Sequence, residues 1–284
     1  MLRWLLLRVY RIPSTPTNPT PTDLGLEAED VTLSARDGRH LRAWFLPASP
    51  TGSGSGPGVV VLHGWGSSAS DLLPAAPELV AAGLSTLVLD ARGHGRSDEV
   101  DFMSMPRFAE DLEVAVAWLR RQPHVDAARV GVIGHSVGAG ACLLAAANDP
   151  RIGAVVAISA MAHPAELIRS SRGLRPAPPR LADRVLHTIE RTIGHPFDSF
   201  APVRTIARID APTVIVHGTR DRTVPPRDAA RLVDAAAARA RLRLIPGAGH
   251  RSIGPFLPVV PELAAHLHDV LSGRDPDPAE PGHR

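Results

Sequence analysis

Val130-Gly-Val-Ile-Gly-His-Ser-Val-Gly-Ala-Gly-Ala-Cys142 is the stretch that decides how this chain folds. A short apolar, β-branched run enters Gly134-His-Ser-Val-Gly138, and an Ala-rich segment follows to Ala147. The run predicts a strand over Val130–Ile133, and the small residues predict a helix over Val137–Ala147. Serine in G-x-S-x-G, between a strand and a helix, occupies a sharp and strained turn, and the flanking glycines let the two elements approach closely. Such a turn lifts the Ser136 hydroxyl above a sheet edge, beside a helix N-terminus whose free N–H groups favour negative charge. The five-residue string alone also fits a glycine-rich structural turn. Its strand–turn–helix setting makes Ser136 a candidate nucleophile.

Similar apolar runs lie on both sides of this stretch: Val59–Leu62, Ser85–Asp90, Ala154–Ile158 and Thr213–Val216, with Leu242–Ile245 as a last strand. Runs apolar at every position are typical of strands buried on both faces, as in a parallel sheet. Helical stretches alternate with them, at Asp71–Ala82, Arg107–Arg121, Arg227–Ala238 and near Phe256–Leu271, which predicts right-handed crossovers and an open α/β sheet. Ahead of these, residues 29–46 alternate about Asp37-Gly38 and read as an antiparallel hairpin. The 284 residues suffice for one large α/β domain, expected over 29–272. Residues 161–205 break the alternation with prolines, arginines and one amphipathic stretch, Leu181–Ile193, and are expected to form a small cap inserted between two core strands. Residues 1–28 form an N-terminal extension that includes a Pro/Thr-rich linker over 13–22, 49–58 read as a flexible loop, and 273–284 as a disordered tail. The first twelve residues are too short for a transmembrane span and lack a signal-peptide core; their Arg, Trp and Leu content fits a first turn packed on the domain or weak contact with a membrane surface.

Ligands of open α/β sheets bind at the C-terminal strand ends, where the polar and glycine-rich punctuation falls here. A serine hydroxyl needs a base. His250, in Gly247-Ala-Gly-His250 after the last strand, is placed to supply it, whereas His266 and His268 fall on the final helix and His283 in the tail. Asp221, in His217-Gly-Thr-Arg-Asp221, lies between serine and histidine in the chain and suits the acid that fixes the histidine tautomer. Its other reading is an Asx turn or helix cap, with Asp198 as reserve acid. Acyl transfer also needs donors for an oxyanion, and the backbone N–H groups of Val137 and of Trp65, in His63-Gly-Trp-Gly66, are the candidates. The Trp65 side chain either lines the acyl pocket or covers the core. Asp90-Ala-Arg-Gly-His-Gly-Arg-Ser-Asp98 lacks the spacing of a phosphate loop and reads as bracing. His63, His94 and His135 each belong to one of these turns and lack metal-ligand spacing, so no metal is expected.

Composition removes other classes. Net charge is +2 and every one of the 31 basic residues is arginine, scattered among acids, which argues against a nucleic-acid surface. Without lysine there is no Schiff-base chemistry, Ser-Lys dyad or P-loop. One cysteine, Cys142, excludes an intramolecular disulfide.

Taken together, HGWG (63–66), DARGHGRSD (90–98), GHSVG (134–138), HGTRDRTVP (217–225) and GAGH (247–250) resemble the α/β-hydrolase superfamily, in that family's order and over about 29–272. The N-terminal half is similar to its bacterial esterase and acyl-peptidase-like members. The resemblance implies a mostly parallel eight-stranded sheet with helices on both faces and a cofactor-free acyl-enzyme mechanism. It also maps Ser136, Asp221 and His250 onto the triad, with Trp65 and Val137 as oxyanion donors. Dehalogenases and epoxide hydrolases of the family carry Asp at the nucleophile, which Ser136 argues against. The expectation is therefore a cytoplasmic serine hydrolase that cleaves a carboxylic ester in a small acyl substrate. Peptidase, thioesterase, acyltransferase and non-catalytic binding protein are the alternatives, and a Pro- and Arg-rich cap would favour acidic or amide-containing substrates.

Overall fold

The hairpin and the apolar runs pair into one eight-stranded sheet. The computed structural model describes residues 12, 17–48, 55–171, 174–251 and 253–274, so the expectations for residues 1–11, 13–16, 49–54 and 275–284 fall outside the described residues. Its strands are β1 (Glu29–Ser34), β2 (His40–Leu46), β3 (Gly56–Leu62), β4 (Ser85–Asp90), β5 (Val125–His135), β6 (Ile152–Ile158), β7 (Thr213–Gly218) and β8 (Ala240–Ile245). The order is β1-β2-β4-β3-β5-β6-β7-β8. Among the described residues only the pairs β1–β2 and β2–β4 are antiparallel. The remaining pairs of described strands are parallel, as the apolar runs of β3 to β7 predicted.

The helices are α1 (Ala69–Leu72), α2 (Ala76–Ala81), α3 (Met105–Leu119), α4 (Val137–Asn148), α5 (Pro164–Ser170), α6 (Pro179–Ile193), α7 (Phe197–Phe200), α8 (Pro202–Thr205), α9 (Pro226–Ala235) and α10 (Val260–Leu271). The period-2 geometry of strands divides each apolar run between two cores. Val60, Leu62, Val132, Val155 and Ile215 face α3, α4 and α9. Val59, Val61, Ile133, Val156 and Val214 face α1, α2 and α10. Helices thus cover both faces.

Two expected helices differ in shape. The stretch expected as one helix over 71–82 is α1 and α2 joined by a 3-10 turn at Leu73–Ala75, because Pro74 and Pro77 each remove a backbone donor. The helix expected from Phe256 begins only at Val260, after a 3-10 segment that holds Pro258. By contrast, α3 starts where local chemistry dictates: Ser104 accepts from the Arg107 N–H at 3.4 Å and proline occupies the first turn.

The chain lays β4 on one side of β3 and β5 on the other, which makes the C-terminal ends of β3 and β5 a topological switch point. Leu62 is level with Gly134, and His135 with Ile158. Gly218 is level with Ile245 two strands further along. The loops after β3, β5, β7 and β8 therefore leave the same edge of the sheet. α5 to α8 lie between β6 and β7 in the chain and stand over that edge.

Candidate active site

β5 runs to His135, and α4 begins at Val137, so Ser136 makes the whole turn by itself. It does so at φ 54°, ψ −115°, a conformation costing a non-glycine residue on the order of 1–3 kcal/mol. The surroundings hold it there. A Cβ on Gly134 would run into the Gly138 carbonyl, and one on Gly138 would run into the carbonyls of Leu62 and His63. Both glycines are needed because α4 starts hard against β5 and β3. The Ser136 N–H donates to the Ile158 carbonyl at 2.8 Å. As the first helical residue, Val137 carries one of the N–H groups that a helix start leaves without an intrahelical acceptor.

His250 arrives on the loop after β8. Its Nε2 lies 2.9 Å from Ser136 Oγ and its Nδ1 lies 2.7 Å from Asp221 Oδ2. The structure brings the three sequence-predicted residues together in one hydrogen-bonded chain. Asp221 has the geometry of an Asx turn, since Oδ1 accepts the N–H groups of Thr223 (2.9 Å) and Val224 (2.8 Å). That leaves Oδ2 facing His250. Burial pushes the Asp221 carboxyl up, but the His250 hydrogen bond and the Val224 and Thr223 amides more than offset this, and it is held below the ordinary carboxylate value. The reserve acid, Asp198, is not at this site; it is exposed and pairs with His163 Nε2 at 2.9 Å.

Opposite the elbow, the loop after β3 packs closely. A Cβ on Gly64 would lie 3.0 Å from that of Ser136. His63 is buried, donates from Nδ1 to the Gly64 carbonyl at 2.7 Å, and accepts the Ala91 N–H at Nε2. C=O and N–H of a trans peptide point opposite ways, so the Trp65 N–H is directed away from the His63 ring. The Trp65 side chain lines the cavity at Ser136 and also meets His94 edge-on, with centroids 6.1 Å apart.

The 90–98 segment braces this arrangement. Asp90 accepts the N–H groups of Ala69 (2.7 Å) and Arg96 (3.2 Å), and buried Arg92 donates to Asp111, Asp37 and Glu110. His63, His94 and His135 each hydrogen-bond a backbone carbonyl. Among the described residues no cluster of His, Cys, Asp and Glu is arranged to hold a metal ion.

One residue gave no sequence signal beyond filling the variable position of the elbow. His135 donates from Nε2 to the backbone carbonyl of His250 at 2.9 Å, and the two rings lie 5.2 Å apart. It ties the histidine loop directly to the residue before the nucleophile. Burial, with His250 nearby, pushes its ring down to about 4, so it is neutral near pH 7.

A cavity of about 870 Å³ opens on Ser136 and His250 and extends beneath the segment between β6 and β7. Among the described residues, Pro164 of that segment lines the cavity and none of its arginines does. α6 is amphipathic, with Ile189 and Ile193 lining the cavity while Arg180, Arg184 and Arg191 point to solvent. Among the described residues no helix is long and apolar enough to cross a membrane.

The comparisons with known proteins agree with this architecture. The family model described as serine aminopeptidase, S33, matches residues 57–195. An uncharacterized protein of Mycobacterium tuberculosis is 31% identical over 243 residues, 86% of this chain and 79% of the relative. A thiohydrolase of Arthrinium phaeospermum is 34% identical over 134 residues, 46% of this chain and 42% of its own. Among solved structures, an esterase of Pyrococcus furiosus superposes with a TM-score of 0.70 at 24% identity, covering 92% of this chain and 98% of the other. With its sheet order, its elbow and these relatives, the chain belongs to the α/β-hydrolase superfamily.

Proposed function

We propose that this protein is a serine hydrolase that cleaves a carboxylic ester through an acyl-enzyme on Ser136. The observation that carries the reading is the continuous chain Ser136 Oγ, His250 Nε2, His250 Nδ1, Asp221 Oδ2, with links of 2.9 and 2.7 Å at the mouth of a large cavity. In this scheme Oγ attacks the ester carbonyl while His250 Nε2 takes its proton. Asp221 holds the other ring N–H and stabilises the imidazolium. The oxyanion is met by the N–H groups of Val137 and Trp65, and such donors are each worth about 10²–10³ in rate. Collapse returns the proton from His250 to the leaving alcohol, and water activated by the same imidazole then releases the acid.

A fluorophosphonate probe tests this directly. Labelling of the wild type that disappears in Ser136→Ala, together with turnover of p-nitrophenyl esters, is the expected result. A wild type that binds small ligands yet never labels would make the fold a non-catalytic binding module. Thioester cleavage or acyl transfer is the second reading, favoured by the thiohydrolase and by a polyketide transferase of Penicillium that is 31% identical over 140 residues. Release of free thiol from an acyl thioester, faster than alcohol from the matching ester, would establish it.

A further inference from the structure

We infer that the substrate of this site carries a large, uncharged, apolar group that lies beneath α5–α7, and that the site is unsuited to the free amino terminus an aminopeptidase must hold. The inference rests on the hydrolase reading above and narrows it.

The cavity lies towards the upper end of the roughly 300–1,000 Å³ range of pockets that enclose a drug-sized ligand. Its walls under the insertion are mainly aliphatic and aromatic: Leu167 and Ile168 from α5, Ile189 and Ile193 from α6, Phe197 and Phe200 from α7, with Thr192 also lining it but its hydroxyl spent on the Thr188 carbonyl at 2.8 Å. Met103, Met105 and Met161 complete the side nearer the sheet. Methionine is flexible and polarisable and fills against varied apolar shapes. An acetyl group would leave most of this volume without contacts.

Charge makes the second half of the argument. Among the described residues, and apart from the two histidines beside Ser136, the ionisable side chains lining the cavity are Asp71 and Arg251, and both are exposed at its rim. Asp71 Oδ2 is already engaged by Ser67 Oγ at 2.7 Å and the Ser68 N–H at 3.1 Å, capping α1. Asp221 is committed to His250, Thr223 and Val224. An α-ammonium carried inside would therefore be buried without a carboxylate, a loss no isolated charge recovers. A pairing at exposed Asp71 would be screened by water. The family description names an aminopeptidase, but the residues around this cavity provide no seat for its substrate's charge.

The test uses the full-length protein with p-nitrophenyl acetate, butyrate, octanoate and dodecanoate, beside the p-nitroanilides of alanine and arginine. The expected result is a kcat/KM that climbs by roughly fourfold for each methylene buried, until the cavity is full, with the anilides cleaved no faster than the blank. Ile189→Asp should lower the octanoate-to-acetate ratio of kcat/KM at least tenfold, and Ile193→Asp, read the same way, guards against one variant failing to fold. A flat or falling chain-length series from a protein that labels at Ser136 overturns this inference alone, as does an anilide outrunning octanoate. A protein that neither labels nor turns over any ester overturns the hydrolase reading and this inference with it.

Discussion

Replacing Asp221 by asparagine separates charge and tautomer from shape. The two carboxylate oxygens have different duties: Oδ1 accepts from Thr223 and Val224 at 2.9 and 2.8 Å, and Oδ2 faces His250 Nδ1 at 2.7 Å. An asparagine must put its carbonyl where the two N–H donors are. Flipping it would set an amide against both and lose two hydrogen bonds of about 1 kcal/mol each. The His217 N–H gives it no reason to turn, since Nε2 is already spent on the Val224 carbonyl at 3.0 Å. The NH₂ of the introduced amide therefore faces His250 Nδ1, which must become an acceptor. The ring proton then moves to Nε2, where it points at Ser136 Oγ and blocks proton removal. A wrong tautomer in a triad costs about 10⁴ in kcat, roughly 5 kcal/mol at 1.36 kcal/mol per decade. Stopped assays on a p-nitrophenyl ester and the rate of fluorophosphonate labelling should both show it, with a melting temperature close to the wild type because the Asx turn survives. An Asp221→Asn variant within tenfold of the wild-type kcat would refute the reasoning, and with it the assignment of Asp221 as the orienting acid.

Three further outcomes follow from the same geometry. His135→Leu removes the donor to the half-buried His250 carbonyl, a cost of about 1 kcal/mol. The expected result is a fall in kcat of ten- to a hundredfold, with KM little changed and partial recovery in His135→Gln; equal rates in all three proteins would dismiss the contact as incidental. Gly138→Ala drives a methyl group into the Leu62 and His63 carbonyls, which neither β3 nor α4 can yield, so denaturant titration should show a loss of about 3 kcal/mol or more. Acid sensitivity is set by buried neutral rings: burial pushes His63 to about 4, His94 to about 3 and His135 to about 4. Their folded values lie below the unfolded one, so their stabilisation is complete above pH about 6.5 and is lost as pH falls towards 4, each ring contributing a slope of about 1.4 kcal/mol per unit. Melting temperatures recorded from pH 7 to 5 should fall steeply, and a flat profile would mean that these rings are charged or solvated in the fold.

The middle of the sheet was readable from the chain because the apolar runs of β3 to β7 are buried on both faces, and such β-branched runs have few other uses. The meeting of Ser136, Asp221 and His250 was readable for a related reason. Ser136, Asp221 and His250 stand in the loops after β5, β7 and β8, so chain position alone puts them on one edge. What escaped is chemistry that depends on contacts across that edge. His135 is an unremarkable residue by type, and its hydrogen bond spans 115 positions to a backbone atom, which no side-chain pattern encodes. The end of α9 was equally silent: Ala237 and Ala238 turn left-handed at φ 48° and 68° without a glycine to announce it. The insertion shows what composition leaves out. Its composition is rich in arginine, but α6 is a helix, and a helix sorts residues by angle rather than by abundance. Arg180, Arg184 and Arg191 fall on the outer side of that helix, and Ile189 and Ile193 on the inner one. Composition therefore describes the surface that this segment shows to water, while the cavity meets only the minority of residues at the other phase of the same helix. For a lid over an α/β sheet, the phase of the amphipathic helix, and not its net charge, is the quantity from which substrate polarity should be argued.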